Sequence, residues 1–587
     1  MGVTCDSIRA GALAFVACAW LGGPAAAEAT AVAPNIDAAS VPLPAAVSPP
    51  DSAPAAAPAP APTPTAAPQD ASAPAVDPQT AAAMSAALDA LVAADVKASP
   101  IGAGDWRAAR LAIRAFYAAR GFAPVWLDGH DFNPHGRAVL ARLGRADDDA
   151  LNLAAFALPK DIPADATSER LADVETTLSA AVVAYAMQAS GSRIVPTRIS
   201  SLITAHPTVA DPGAALAAVA AAADPDAALA GYNPQQKGYR DLRDQLSRAR
   251  EAAPPPVDNP AAATATPRIP DGPSLGLGMR DPRVPLVRAR LGVPAEGAAA
   301  EVYDLPLAAA VQAFQRANNL PPNGALTPGT AAALSGGVAA PPLAATASLS
   351  PARRVATLAA NMEMWRWEPR DMGVERIEIN IPDFTLRMMD GDDVVHSARV
   401  IVGKPDTPTP IFSNAMKYIL VNPIWRVPDS IVRKEFAPRL AEDPDYLINR
   451  GYQVAEIGGH MFVSQPPGEG NALGHILFMF PNEHSVYLHD TPSRGLFGTA
   501  RRAYSHGCVR LDQPMRLAEL VMGPSWGARL QAMIGSTQRT VMLPHPIPIH
   551  LEYFTTFVDA TGALRDRDDI YGITARVAGT IAKTSQD

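Results

Sequence analysis

Cysteine is almost missing from this chain. Its 587 residues include only Cys5, Cys18 and Cys508, so beyond residue 27 a single thiol remains and no disulfide framework can be built. Long apolar runs are missing too: Gly11–Gly23 is too short for a comfortable membrane span, and nothing later approaches that length without a charge. Excess positive charge is absent, and a net charge of −9 gives no reason to expect a nucleic-acid partner. His460, His475, His484, His489 and His506 fall in one stretch, but no two stand four apart, as a helical zinc site requires. A metal-dependent hydrolase is therefore a weak reading, and no metal or cofactor is expected.

What is present begins with a lone Arg9, the short apolar run, and Pro24-Ala25-Ala26-Ala27-Glu28. These are the charged, apolar and small-residue parts of a signal peptide over 1–27, which predicts export. Lipid attachment at Cys18 stays open, although Phe15-Val16-Ala17 lacks the leucine such sites usually carry. Residues 28–79 are mostly Ala and Pro, a composition that cannot offset ordering entropy, and they are read as a disordered spacer.

The expected fold class is multidomain α+β. Alanine-rich segments with apolar residues three and four apart (Ala82–Ala94, Asp105–Arg120, Ala172–Ala189) predict a helical scaffold domain over 80–250, followed by a linker at 251–270. Residues 271–340 read as a three-helix module: Val284, Val287 and Leu291 line one helix that stops at Gly292, Leu307, Val311 and Phe314 line a second, and Thr327-Pro328 opens a third after the Asn323-Gly324 turn. The string Val311-Gln312-Ala313-Phe314-Gln315-Arg316, with Asn319-Leu320 and Asn323-Gly324, resembles the peptidoglycan-binding domain of cell-wall enzymes. A scaffold helix is expected within 350–374. Alternation at Arg376–Ile381, Phe384–Met388 and Val394–Val402 then opens a mostly-β catalytic domain over 375–553, with a C-terminal extension at 554–587.

An exported chain normally uses cysteine in pairs, so one unpaired thiol between histidine and glycine in Ser505-His506-Gly507-Cys508 reads as a nucleophile. Ser485–His489 reads as a strand, with Val486 and Leu488 on the core face and Tyr487 and His489 together on the other. Asp512 is placed to cap a helix with Pro514 in its first turn, which would put Cys508 just upstream of a helix start, where amide dipoles favour thiolate. An imidazole is needed to take the thiol proton and return it. Gly507 suits an oxyanion site of main-chain N–H groups, and His506, Ser505 and Tyr487 can add donors. Between Asp490 and Asp512 there is no carboxylate, but there are Arg494, Arg501, Arg502 and Arg510, a local positive patch suited to an acidic substrate.

His489, the arginine-rich loop and Ser505-His506-Gly507-Cys508-Val509-Arg510 resemble the signature of the L,D-transpeptidase (YkuD-type) catalytic domain, and more specifically the large YcbB-like periplasmic members. Gly403-Lys404-Pro405 with Thr409-Pro410, Asn422-Pro423-Ile424-Trp425-Arg426-Val427-Pro428, Gln465-Pro466-Pro467-Gly468 with Asn471-Ala472-Leu473-Gly474, and Phe480-Pro481-Asn482 fit that type. The chain departs at Arg510, where the broader family often has asparagine. The resemblance implies a periplasmic, wall-associated acyltransferase without a stable transmembrane span. Its partners would be peptidoglycan tetrapeptide stems, with carbapenem antibiotics as covalent inhibitors. Cys508 would be the nucleophile and His489 the proton donor and acceptor, with His506 and Gly507 completing the catalytic set. Tyr487, Ser505, Trp425, Arg494, Arg502 and Arg510 would bind substrate, under a cap formed by about 425–470. Water as acceptor (an L,D-carboxypeptidase), an acceptor on a wall-attached protein and a non-catalytic wall anchor stay open, as does the oligomeric state.

Overall fold

A computed structural model describes residues 76–94, 103–252, 269–270, 272–295, 300–317, 320, 323–335, 350–458 and 460–584. The signal peptide, Cys18, nearly all of the spacer and most of the linker lie outside the described residues. Among the described residues no helix is long and apolar enough to cross a membrane.

A two-residue signal opens five helices. Asp77-Pro78, Asn133-Pro134, Asp211-Pro212, Asp224-Pro225 and Ser350-Pro351 each place a side-chain oxygen on an orphan amide three residues on, with proline at the first helical position. Each such cap contributes about 1 kcal/mol. The first helix, Pro78–Ala93, thus begins two residues inside the segment read as spacer. At the centre of the scaffold runs Ser168–Ala189, buried along nearly all of its last eighteen residues. Small alanines let its neighbours approach, and the polar groups it buries are matched. Glu175 accepts from the Tyr117 hydroxyl at 2.7 Å and the Trp126 amide at 3.1 Å, and Ser179 accepts from the Trp126 indole at 2.8 Å.

The three-helix module forms its own core. Val284–Leu291, Leu305–Ala317 and Pro328–Ser335 bury Val284, Val287, Leu291, Leu307, Val311 and Phe314 together, as the periodicity predicts. Gly292 is the left-handed stop of the first helix. The core also takes Ile269, two residues before the expected boundary. Buried Gln315 holds the turn: its amide nitrogen donates to Ala325 O at 2.8 Å and its oxygen accepts from Gly324 N at 2.8 Å. Asn319 lies outside the described residues.

The catalytic domain is a sheet that closes on itself. Its strands are β1 (Glu375–Asn380), β2 (Thr385–Asp390), β3 (Asp393–Gly403), β4 (Phe412–Val421), β5 (Ile476–Met479), β6 (Leu488–His489), β7 (Ala503–Ser505), β8 (Val509–Leu511) and β9 (Arg539–Glu552). Their order is β7-β3-β8-β6-β5-β4-β9-β1-β2, and β2 also pairs with the first half of β3. The register of β9 on β4 shifts between Met542 and Ile547, where Pro544 and Pro546 cannot donate to a ladder. Helix Pro351–Trp365 packs in the same core as the sheet. So does the segment after 553, read from sequence as an extension: Phe554, Ile570, Ile573 and Val577 are all buried there.

The scaffold is joined to the helix Pro351–Trp365, which packs with the sheet, by a buried polar network. Arg366 donates to Asp149 O at 2.5 Å and to the Tyr239 hydroxyl at 2.9 Å, and pairs with Glu363 at 3.2 Å. Arg142 pairs with Asp149 at 2.7 Å. A short parallel bridge, Ile203 to Ile411, ties the loop after the central helix to the start of β4.

Candidate active site

The site is built by two adjacent parallel strands. In the register of β6 and β8, Leu488 lies opposite Val509 and His489 opposite Arg510, and the Val509 amide donates to Tyr487 O at 3.0 Å. Leu488 and Val509 are fully buried on the core face. Period two therefore puts Tyr487, His489, Cys508 and Arg510 on the other face, as the sequence alternation predicts for the first two. The Tyr487 and His489 rings meet edge to face at 5.7 Å. Regular strand begins only at Leu488, because Ser485 is left-handed (φ 53°).

Cys508 is a free, half-buried thiol. Its Sγ lies 3.9 Å from Ser485 O, and the main-chain N–H and phenol of Tyr487 are both within bonding reach of it. Burial pushes the thiol pKa up; the Tyr487 bonds and the Arg510 charge offset only part of that. The expected help from a helix start is not there. Cys508 runs into strand β8, and the next helix, Pro514–Met522, is capped at Gln513 in a left-handed conformation without a side-chain bond. Asp512, expected to cap it, instead pairs with Arg399 at 2.8 Å.

His489 is buried, with Nδ1 2.6 Å from Asp490 O. In the tautomer with its proton on Nδ1 the ring donates to that carbonyl and Nε2 is the acceptor. Burial, followed by the Arg510 charge, pulls the imidazole down to about 3, against the opposing carbonyls of Asp490 and Leu473. Burial and the Cys508 charge likewise raise the Tyr487 phenol. Both shifts favour the uncharged form, of the thiol and of the imidazole.

The loop carrying the thiol is pinned from behind. Gly507 has φ +117°, a conformation that side chains rarely adopt. Its carbonyl accepts from Thr409 Oγ1 at 2.7 Å, and Thr409 Oγ1 in turn accepts from Gly403 N at 2.9 Å. The Tyr571 hydroxyl, from the C-terminal segment, donates to Gly403 O at 2.7 Å. Gly403 admits no side chain, since a Cβ there would stand 2.2 Å from Thr407 O. Buried Ser505 also faces inward: its hydroxyl donates to Cys508 O at 2.5 Å and accepts the Gly507 amide at 3.2 Å. Two expectations change accordingly. Ser505 is turned to the loop backbone rather than to a substrate, and the Gly507 amide is already engaged. The Cys508 amide has no protein acceptor among the described residues.

His506 is engaged by the neighbouring segments, with Nε2 2.6 Å from Glu435 Oε1 and 3.3 Å from Lys404 Nζ. The arginines divide. Arg494 pairs with Asp490 at 2.8 Å. Arg502 is spent on the carbonyls of Val400, Thr499 and Phe384, with its guanidinium over the Phe384 ring. Arg501 is exposed. Arg510 alone acts on the charges of both Cys508 and His489, and no acidic partner faces it among the described residues. Trp425 sits at the base of the expected cap, where Trp425–Arg426 pairs with His460–Gln465 and that strand with Gln453–Ile457. The cap has a small core of Val427, Ile431, Val432, Phe436, Leu447 and Val463, and Asn471 stitches its base by donating to Pro423 O, Gln465 O and Pro466 O.

Thr409, Tyr571, Lys404 and Glu435 were not singled out from sequence as site residues. The Gly403-Lys404-Pro405 and Thr409-Pro410 strings were the available signal for two of them; Tyr571 and Glu435 had none. Among the described residues no group of three His, Cys, Asp or Glu side chains is arranged to hold a metal ion.

Residues 374–541 match the family described as "L,D-transpeptidase catalytic domain" (YkuD), residues 289–334 that described as "Putative peptidoglycan binding domain", and residues 111–246 a "Scaffold domain". A Haemophilus influenzae protein described as "Putative L,D-transpeptidase" is 29% identical over 216 residues, which span 33% of this chain and 44% of that protein. The chain thus matches less than half the length of that curated relative. Among solved structures, an L,D-transpeptidase from Mycobacterium smegmatis is 16% identical over 30% of this chain and 58% of that one, with a TM-score of 0.17. An L,D-transpeptidase solved in complex with imipenem is 15% identical over the same shares, also with a TM-score of 0.17.

Proposed function

We propose, from the L,D-transpeptidase catalytic domain and the peptidoglycan-binding domain that this chain carries, that it cross-links peptidoglycan stems by cysteine acyl transfer. The observation that carries this reading is the shared face of Tyr487, His489, Cys508 and Arg510, with the lone thiol among them.

Cys508 Sγ attacks the carbonyl of the third residue of a tetrapeptide stem while its proton passes to Nε2 of His489. The S–C bond forms, the C–N bond breaks, and the same proton leaves on the amine of D-alanine. A side-chain amine of a neighbouring stem then attacks the thioester, giving a proton to His489, which returns it to the departing sulfur. The Cys508 amide, without a protein acceptor among the described residues, and the Tyr487 hydroxyl, once it turns from the sulfur it bonds at rest, are the donors for the oxyanion. Arg510, charged and without an acidic partner, draws a stem carboxylate into the cleft. A β-lactam with the same electrophilic carbonyl, such as a carbapenem, acylates the same thiol. The three-helix module holds the enzyme at the wall and raises the effective concentration of stems.

Mass spectrometry of products from purified protein and tetrapeptide muropeptides tests the assignment. D-Alanine release with dimers bridged through two third residues is the expected result. Tripeptide without dimers would move the activity to an L,D-carboxypeptidase, and no D-alanine release would sink the enzyme reading.

A further inference from the structure

The cap reaches the catalytic loop through one charged contact, and that contact has the chemistry of a bound substrate. Glu435 lies in the helical stretch Val432–Phe436 of the cap, and its Oε1 sits 2.6 Å from Nε2 of His506, two residues before the nucleophile. With the proton on Nε2 the ring donates to this carboxylate. Lys404 Nζ stands 3.3 Å from the same nitrogen but does not pair with Glu435, so its ammonium has no carboxylate partner among the described residues and is left for an incoming one. Neither partner is loose at its root. The Lys404 amide donates to Ser505 O at 3.0 Å, and Thr407 Oγ1 donates to the same carbonyl at 3.2 Å, which fixes the Lys404 turn against the motif that carries Cys508.

We infer that Lys404 and His506 form a carboxylate-binding subsite beside the thiol, occupied in the resting protein by the cap's own Glu435 and taken over by a free carboxylate of an incoming stem peptide. The inference rests on the proposed peptidoglycan substrate and adds to it a recognition element separate from Arg510. Exposure makes the exchange feasible. The His506 and Glu435 side chains are 35% and 48% exposed, and ion pairs that accessible contribute little to stability, so a ligand carboxylate can displace Glu435 without a large penalty. Displacement also frees the cap from the loop it touches, so entry of an acidic peptide and release of that contact are one event. A neutral peptide gains nothing at this spot and meets Glu435 still in place.

The test is equilibrium binding, by calorimetry, of a stem tetrapeptide with free carboxylates and of the same peptide fully amidated. The protein is the full chain carrying Cys508→Ala, so that no turnover intervenes. Adding Glu435→Ala or Glu435→Gln should tighten the free-acid peptide about three- to tenfold and leave the amidated one unchanged, and Lys404→Gln should weaken the free-acid peptide by a similar factor. If Glu435→Ala weakens both peptides, Glu435 is a latch the bound state needs and the inference is overturned. Equal affinities in all variants overturn it as well. If neither peptide binds any variant, the peptidoglycan substrate itself falls and the subsite with it, whereas binding without discrimination removes the subsite alone.

Discussion

Replacing His489 by glutamine tests the site at its most exacting point. In the proposed mechanism Nδ1 donates to Asp490 O and Nε2 takes the thiol proton. An ordinary thiol is about 3% ionised at pH 7, and burial lowers that further here, tenfold for each unit by which it raises the pKa. Without a base, almost no thiolate is present. His489→Gln should therefore slow acylation by a carbapenem at pH 7 by on the order of 10²- to 10⁴-fold, about 3–5 kcal/mol of barrier. The deficit should shrink above about pH 9, where hydroxide does the work of the base. Because the imidazole is held at about 3, protonation of His489 removes the base only near that pH, so the wild-type profile of acylation by the free enzyme should carry no limb near 6.5. Stopped-flow acylation across pH 4.5–10 reads both features. A wild-type rate at pH 7 in the variant would move the base elsewhere. Alkylation by iodoacetamide with a plateau from pH 6 to 8 would show a preformed thiolate–imidazolium pair and refute the neutral resting state.

Four further outcomes are expected. Cys508→Ala should abolish D-alanine release with an unchanged circular dichroism spectrum, and Cys508→Ser should fail equally because a hydroxyl is far harder to ionise. Arg510→Ala should raise KM for acidic stems at an unchanged melting temperature, whereas Arg502→Ala, which strips three backbone carbonyls of their donor, should lower Tm and leave KM near wild type; the reverse pattern would exchange the two roles. Burial, then the Arg376 charge, lowers buried His550 to about 4 although it bonds Ser413 and Met372 O, so the unfolded chain binds its proton first: its contribution is complete above about pH 6.5 and lost as pH falls toward 4. His550→Gln should flatten that part of the Tm–pH curve, and an unchanged slope would assign the acid loss to other groups. Deleting residues 269–335 should reduce retention on isolated sacculi while Cys508 still reacts with a thiol probe, since the module's core is its own; loss of thiol reactivity in a folded product would tie the two domains together.

The fold was legible wherever a local rule applied. The apolar faces spaced along 284–291 and 307–314 were buried together, and β1 to β3 appeared within two residues of their alternating segments. The shared face of Tyr487 and His489 followed from period two alone. What stayed hidden was pairing over long separations. Asp512 looks like a cap until Arg399, 113 residues away, claims it. Arg502 and Arg510 lie eight residues apart in one basic stretch, yet one is consumed by carbonyls of β3 and the loop before β2 while the other faces the thiol, a difference set by which strand edge each approaches. Tyr571 reaches Gly403 across 168 residues. No pattern within a window of the sequence encodes such contacts, because each depends on where the closed sheet brings another segment.

These distant ties explain how a site can be rigid in its backbone and unactivated in its chemistry. Thr409, Tyr571 and Ser505 satisfy the carbonyls of Gly507, Gly403 and Cys508, which fixes the direction of the Cys508 amide and Sγ. None of these three bonds ends on the sulfur, where the Tyr487 donors and the Arg510 charge favour thiolate less than burial opposes it. The proposed mechanism leaves activation to groups that respond to a ligand: the His489 imidazole, the charge of Arg510, which has no acidic partner among the described residues, and a segment whose Glu435 carboxylate rests on His506. A substrate that removes the last water from this face also strengthens every one of those interactions, since charges in a drier site act at lower effective dielectric. The same neutrality guards the resting thiol, because oxidation and disulfide exchange both follow thiolate character.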